Sequence, residues 1–205
     1  SFMIFMMNNL QDLVVDGNFE IMSYWAFSDI FEELGFHSEP FNNQFGMQTI
    51  RGIPKPIFRV FELVYELGSE IAYETTRTDA DNNDGTITTF CLRNKNDNNR
   101  YGVFMANWNF YYSPIHPQTI ELTIKQNGIP KSVELYRIDV DNTNPIQSWF
   151  DMDSPKYPTK DQLQTLNDAS QITNTSIHFD TINTDTIQIS LVIPVYGVAI
   201  LDLQY

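Results

Sequence analysis

Residues 19–33 read Phe-Glu-Ile-Met-Ser-Tyr-Trp-Ala-Phe-Ser-Asp-Ile-Phe-Glu-Glu. Aromatic and apolar side chains crowd the first nine positions, and the run is too short and too continuous for a surface helix. It reads as a strand over 19–27 buried on both faces, the kind found in parallel sheets. Carboxylates cluster just beyond it, at Asp29, Glu32 and Glu33. Before it, Phe2, Phe5, Met6, Leu10, Leu13 and Val14 follow helical spacing over residues 2–15, and Asp16-Gly17-Asn18 supplies the stop.

After it, residues 28–53 lack periodicity and hold glycines and a proline, so they are expected to form a long loop, of a length that is usually functional. The clearest helix covers 55–67. Pro56 suits its first turn, Ile57, Val60, Phe61, Val64 and Leu67 form its apolar face, and Gly68 ends it. Helix, buried strand, long loop and helix make one and a half units of a β/α fold. Beyond Gly68, short β-branched or alternating runs appear at 71–77, 86–92, 101–107, 119–125, 132–138, 176–180, 186–193 and 196–203. Turn signals at 82–85, 96–99, Asn127-Gly128 and 183–185 separate them, which indicates an antiparallel sandwich. One helix interrupts the strands, with Thr159 as cap, Gln162 in the capping-box position and Leu163 and Leu166 on its apolar face. The expected fold class is therefore α/β plus all-β, with a boundary near residue 70.

Composition bounds the chemistry. The 205 residues carry a net charge of -14, from 26 acidic against 12 basic side chains. That sign argues against nucleic acid and against anionic membranes, both of which select basic surfaces. Cys91 is the only cysteine, so neither an internal disulfide nor a cysteine-based zinc site can form, and it reads as a small buried apolar residue. No apolar run reaches membrane-span length. Residues 79–85 loosely resemble a calcium loop, but glycine falls one place late and Phe90 stands where the terminal glutamate belongs, so a polar hairpin turn is expected. His37, His116 and His178 lack metal-ligand spacing. No metal or other cofactor is expected.

The densest functional cluster is Ser23–Glu33. In a β/α barrel the loop after a strand's C-terminal end lies on the active face. Flat aromatic rings pack on the C–H faces of sugars, and carboxylates accept hydrogen bonds from their hydroxyls. The same residues also fit core aromatics followed by a solvated helix start, and composition leaves both readings open.

Ser23-Tyr-Trp-Ala-Phe-Ser-Asp-Ile-Phe-Glu-Glu33 closely resembles the last barrel strand and loop of glycoside hydrolase family 39, the β-xylosidase and α-L-iduronidase family. The resemblance continues through Ser38-Glu-Pro-Phe41, Phe45-Gly46, Gly52-Ile-Pro-Lys-Pro56, Phe61-Glu-Leu63 and Leu67-Gly68. A third block runs through Ile138-Asp-Val-Asp-Asn-Thr-Asn144, Trp149, Met152, Ser154-Pro155, Pro158-Thr159 and Leu166. Where the family has a Gly-Gly pair before Phe-Gly, this chain has Asn43-Gln44, and Ala26 stands where threonine is frequent.

The resemblance implies that residues 1–69 are the C-terminal segment of a (β/α)₈ TIM barrel and residues 70–205 a β-sandwich. It implies a retaining enzyme acting on xylosides or iduronides. Trp25 would pack on the sugar, Glu32 and Glu33 would bind hydroxyls or shape the pocket, and Asp29 and Phe31 would support their loop. Retaining glycosidases need an acid and a nucleophile close together. In the family both are glutamates on the fourth and seventh strands, whereas this chain resembles it only from the helix after the seventh. No catalytic residue is therefore assigned, and Glu32 and Glu33 are assigned to substrate. The expected partners are a xylose-containing saccharide and the N-terminal part of the barrel, with self-association through the unpaired barrel surface. A rival reading makes the sandwich a carbohydrate-binding or structural module, with Trp108, Tyr111, Tyr112 and Trp149 as a sugar platform.

Overall fold

The computed structural model describes residues 1–15, 17, 23–30, 38–42, 44–68, 70–73, 87–109 and 114–205. Helix α1 spans Phe2–Val15 and α2 spans Pro56–Leu67. Strands β1 (Glu70–Tyr73), β2 (Ile87–Arg93), β3 (Arg100–Asn107), β4 (Gln118–Lys125) and β5 (Ser132–Ile138) follow. Helices α3 (Ile146–Asp151) and α4 (Lys160–Ala169) then precede β6 (Asn174–Ser176), β7 (Asp180–Asn183), β8 (Thr186–Ile193) and β9 (Val198–Gln204). These strands form a six-stranded sheet in the order β1-β2-β3-β9-β5-β6 and a three-stranded sheet in the order β4-β8-β7. Each pairing within them is antiparallel.

Side chains alternate across a strand, and both faces of the larger sheet are used. Phe90, Phe104 and Ile200 face the side where Met3, Ile4, Val60, Leu63 and Leu67 of α1 and α2 pack. Cys91, Met105 and Leu201 face Ile187, Ile189 and Leu191 of the smaller sheet. The helices thus cover one face and the three-stranded sheet the other. β9 lies in the middle, which explains why six consecutive residues, Val198–Leu203, are all buried. Cys91 is buried, as its apolar surroundings in sequence suggest, and desolvation pushes its thiol up to about 12. At pH 8 only about one thiol in 10⁴ is then ionised, and the thiolate is the reactive form. Native protein should therefore react with iodoacetamide at least a hundredfold more slowly than protein unfolded in guanidinium, as followed by intact mass.

Local signals explain most elements. In α4 the Thr159 hydroxyl accepts from the Gln162 backbone N–H at 3.3 Å, and the Gln162 side chain accepts from the Thr159 N–H at 2.9 Å. This closes the expected capping box. The buried stripe of α2 is Val60, Leu63 and Leu67, with Ile57, Phe61 and Val64 flanking it half-buried, so the face is centred on Leu63 rather than on the expected set. Gly68 ends α2 in extended backbone, not in the left-handed region. Glycine is required there by space, because a Cβ would meet the Leu92 side chain.

Three expectations need correction. Residues 23–27 form no regular strand, since none of them pairs with a strand neighbour among the described residues; residues 18–22 lie outside those described. The single strand expected over 176–180 is two short ones. β6 pairs with β5 and β7 with β8, so the chain crosses from one sheet to the other between them while Ile177 and Phe179 pack into the core. Helix α3 was not anticipated, being six residues long with Trp149 as its buried side chain. The calcium-like stretch 79–85 lies outside the described residues.

Candidate functional site

The loop after residue 23 is held by a small network of backbone bonds. Met47 N–H donates to Ala26 O at 2.9 Å, Gln48 N–H to Phe27 O at 3.2 Å, and Asp29 N–H to Gln48 O at 3.1 Å. Lys55 N–H donates to Met47 O at 2.9 Å, joining a third segment to the second. The Thr49 hydroxyl turns the chain between them by accepting from Ile53 N–H at 3.1 Å, and Gly52 adopts φ +76° in that turn. Segments 26–29, 46–49 and 53–55 therefore lie side by side, and α2 starts directly after the last.

Asp29 sits at the centre of this arrangement. Its side chain is fully buried. Oδ1 accepts from Gly46 N–H at 2.8 Å and from Lys55 Nζ at 2.6 Å. Lys55 Nζ also donates to Gln44 O at 3.1 Å. Gly46 must lack a side chain, since a Cβ would collide with the Ser28 and Asp29 backbone. Asp29 Oδ2 and both amide atoms of Gln44 are buried without a hydrogen-bond partner among the described residues. A carboxylate in such a place depends on the lysine for its charge balance.

Around this buried pair the loops display large apolar side chains. Trp25 is 73% exposed, and Phe27, Ile30 and Phe45 are exposed with it. The Trp25–Ala26 peptide is cis. Tyr24 turns inward against Phe61, with ring centroids 6.2 Å apart, and its hydroxyl pKa is raised by burial and then by the Asp29 charge. Phe2, Met3, Met6, Ser23, Tyr24 and Trp25 line an open depression of about 250 Å³.

Among the expected site residues, Trp25 lies exposed beside the network, and Asp29 makes loop hydrogen bonds within it. Phe31, Glu32, Glu33 and His37 lie outside the described residues. Sequence reasoning missed Lys55 and the contact role of Gly46. The available signal was a single cation between two prolines in an otherwise apolar approach to a helix.

The downstream block has a structural explanation. Asp139 Oδ1 accepts from the N–H groups of Asp141 and Asn142, at 3.0 and 2.9 Å, and closes a tight loop. Thr143 takes φ +56° there and its hydroxyl donates to Arg137 O at 2.9 Å. Trp149 is buried with Ile53 and Leu166, and its indole N–H donates to Pro155 O at 3.2 Å. Trp108 packs against Phe2 and Phe5 of α1, with centroids 5.3 and 4.7 Å away. Tyr111 and Tyr112 lie outside the described residues. Neither described tryptophan of the rival platform is laid open as Trp25 is. Among the described residues, no group of three His, Cys, Asp or Glu side chains could hold a metal ion. No described helix is long and apolar enough to cross a membrane.

The chain is similar to known proteins in sequence and in fold. A β-xylosidase of Caldicellulosiruptor saccharolyticus is 33% identical over 178 residues, covering 87% of this chain and 35% of the relative. A β-xylosidase of Geobacillus stearothermophilus is 26% identical over 149 residues, covering 72% and 27%. The chain thus spans about a third of the length of these curated relatives. A family 39 β-xylosidase structure from Caulobacter crescentus superposes with a TM-score of 0.70 at 20% identity, over 100% of this chain and 39% of that one. The family 39 enzyme of Xanthomonas axonopodis pv. citri gives 0.69 at 18% identity, over 99% and 40%. These likenesses fit a β-rich C-terminal domain. The model of glycosyl hydrolases family 39 matches residues 2–181, and this chain belongs to that family.

Proposed function

We propose that this chain supplies the sugar-binding edge of a retaining β-xylosidase active site and not its catalytic pair. Residues 1–69 are read as the end of a (β/α)₈ barrel and residues 70–205 as a β-sandwich that braces it. The observation that carries the reading is Trp25, 73% exposed on a loop whose neighbour Asp29 is buried and ion-paired. An exposed indole on a loop pinned by backbone hydrogen bonds is suited to stack on a pyranose ring. The 33% identity to a β-xylosidase supports xylosides as the substrate class. Glu32 and Glu33 would accept hydrogen bonds from sugar hydroxyls, with Phe31 supporting them. The acid and the nucleophile of a retaining mechanism, about 5–5.5 Å apart, would come from the N-terminal part of the barrel.

The test is hydrolysis of 4-nitrophenyl β-D-xyloside. The 205 residues alone should release no nitrophenol above the buffer rate, and mixing with the N-terminal barrel part of a family 39 β-xylosidase should restore turnover. Turnover by the chain alone would overturn the assignment and make Glu32 and Glu33 the first residues to mutate. A folded, inactive complex would count equally against it.

A further inference from the structure

We propose that Lys55 is a positioning residue for the sugar platform, acting through Asp29 to hold the loop that displays Trp25. The inference rests on the proposed role of Trp25. Lys55 is 26 residues from Asp29 in sequence, yet its ammonium group lies 2.6 Å from Oδ1 and 3.1 Å from Gln44 O. It therefore ties the segment that carries Trp25 to the one that carries Phe45 and Gly46. The Asp29 side chain is wholly buried and that of Lys55 is 15% exposed, so the pair is shielded from solvent screening.

Two further features make the tie specific. Gly46 N–H converges on the same carboxylate oxygen as the ammonium, and a side chain at Gly46 would collide with the loop. Among the described residues Asp29 Oδ2 meets no hydrogen-bond partner, so within them the Lys55 ammonium and the Gly46 N–H hold that carboxylate in place. Lys55 precedes Pro56, the first residue of α2. The tie thus anchors a loop to the start of a helix whose far side is packed in the core. Loss of the ammonium leaves the carboxylate with the Gly46 N–H bond, and that bond and the backbone bonds of 26–29 to 46–48 then carry the loop.

The experiment uses the 205-residue chain labelled with 5-fluorotryptophan, which gives one fluorine resonance for each of its three tryptophans. Single Trp→Phe variants assign them. Lys55→Met should shift and broaden the Trp25 resonance while those of Trp108 and Trp149 stay in place. Lys55→Arg, which keeps a cationic donor, should restore a single sharp line. Lys55→Met combined with Asp29→Asn removes both buried charges, so it should fold even if the single variant does not, and should leave Trp25 equally mobile. A folded variant lacking the tie whose Trp25 resonance is unmoved would overturn the proposal, as would a Trp25 resonance already averaged in the unsubstituted chain. The sugar reading fails separately: it is lost if Trp25→Phe leaves xyloside hydrolysis by the reassembled complex unchanged, whatever the fluorine spectra show.

Discussion

Replacing Arg100 by methionine should lower the unfolding free energy by about 3 kcal/mol. Arg100 Nε and Nη2 meet Asp202 Oδ1 and Oδ2 at 2.9 and 2.8 Å, a two-pronged contact. That bond holds the guanidinium pKa above its ordinary value. The Asp202 side chain is only 2% exposed, within the central strand β9, while that of Arg100 is 29% exposed. Methionine fills the volume but leaves a carboxylate in the sheet with no counter-charge. Removing one partner of a buried pair costs about 3–5 kcal/mol, and water at the arginine end brings this case to the lower limit. Urea unfolding midpoints measure it. The double variant Arg100→Met/Asp202→Leu should recover most of the loss, because neither charge then remains. A single variant within about 0.5 kcal/mol of the unsubstituted chain would place Asp202 outside the group of strongly coupled buried charges.

Phe104→Ala should cost about 3–5 kcal/mol. Phe104 has no exposed surface and lies stacked on Phe90, with centroids 5.0 Å apart and the rings 10° from parallel. It occupies the face of β3 on which α1 and α2 pack, so its removal opens a cavity between layers that regular elements hold apart. Strands paired on both sides cannot collapse readily into such a space, which keeps the cost in the upper part of the range for large-to-small changes. For a chain of this size the loss corresponds to a fall in melting temperature on the order of 10 °C. Phe104→Leu, which leaves a smaller gap, should fall by less than half as much in the same calorimetric scan.

How much was legible in the sequence follows from what is local. β8 shows the alternation of a half-covered strand and occupies the expected residues 186–193. The α4 cap is a four-residue motif and reads directly. β6 and β7 are exposed at every position, so no burial pattern marks their ends. α3 is shorter than two helical turns and lacks a side-chain cap bond at Pro145, leaving too little period to detect. Strand order is not local either: nothing near Val198–Gln204 announces that it pairs with both β3 and β5. The site divides in the same way. Trp25 was chosen on the resemblance to family 39, as a ring that packs on the sugar, and Asp29 as a support of its loop. Lys55 was not, because its partner is set by the path of a loop whose three segments meet only in the fold.

The placement of β9 bears on how the protein is made. β3 and β5 leave the ribosome well before β9 does, with residues 139–197 between β5 and β9. At about 5–20 residues per second that interval lasts on the order of 3–12 s. Throughout it, each of those strands has a vacant edge where its final partner belongs, and open edges recruit other strands. The nascent chain must therefore wait with a gap in the middle of its largest sheet. Crowded expression should favour aggregates that form during synthesis, and fewer initiations per message, which space nascent chains apart, should raise the soluble yield.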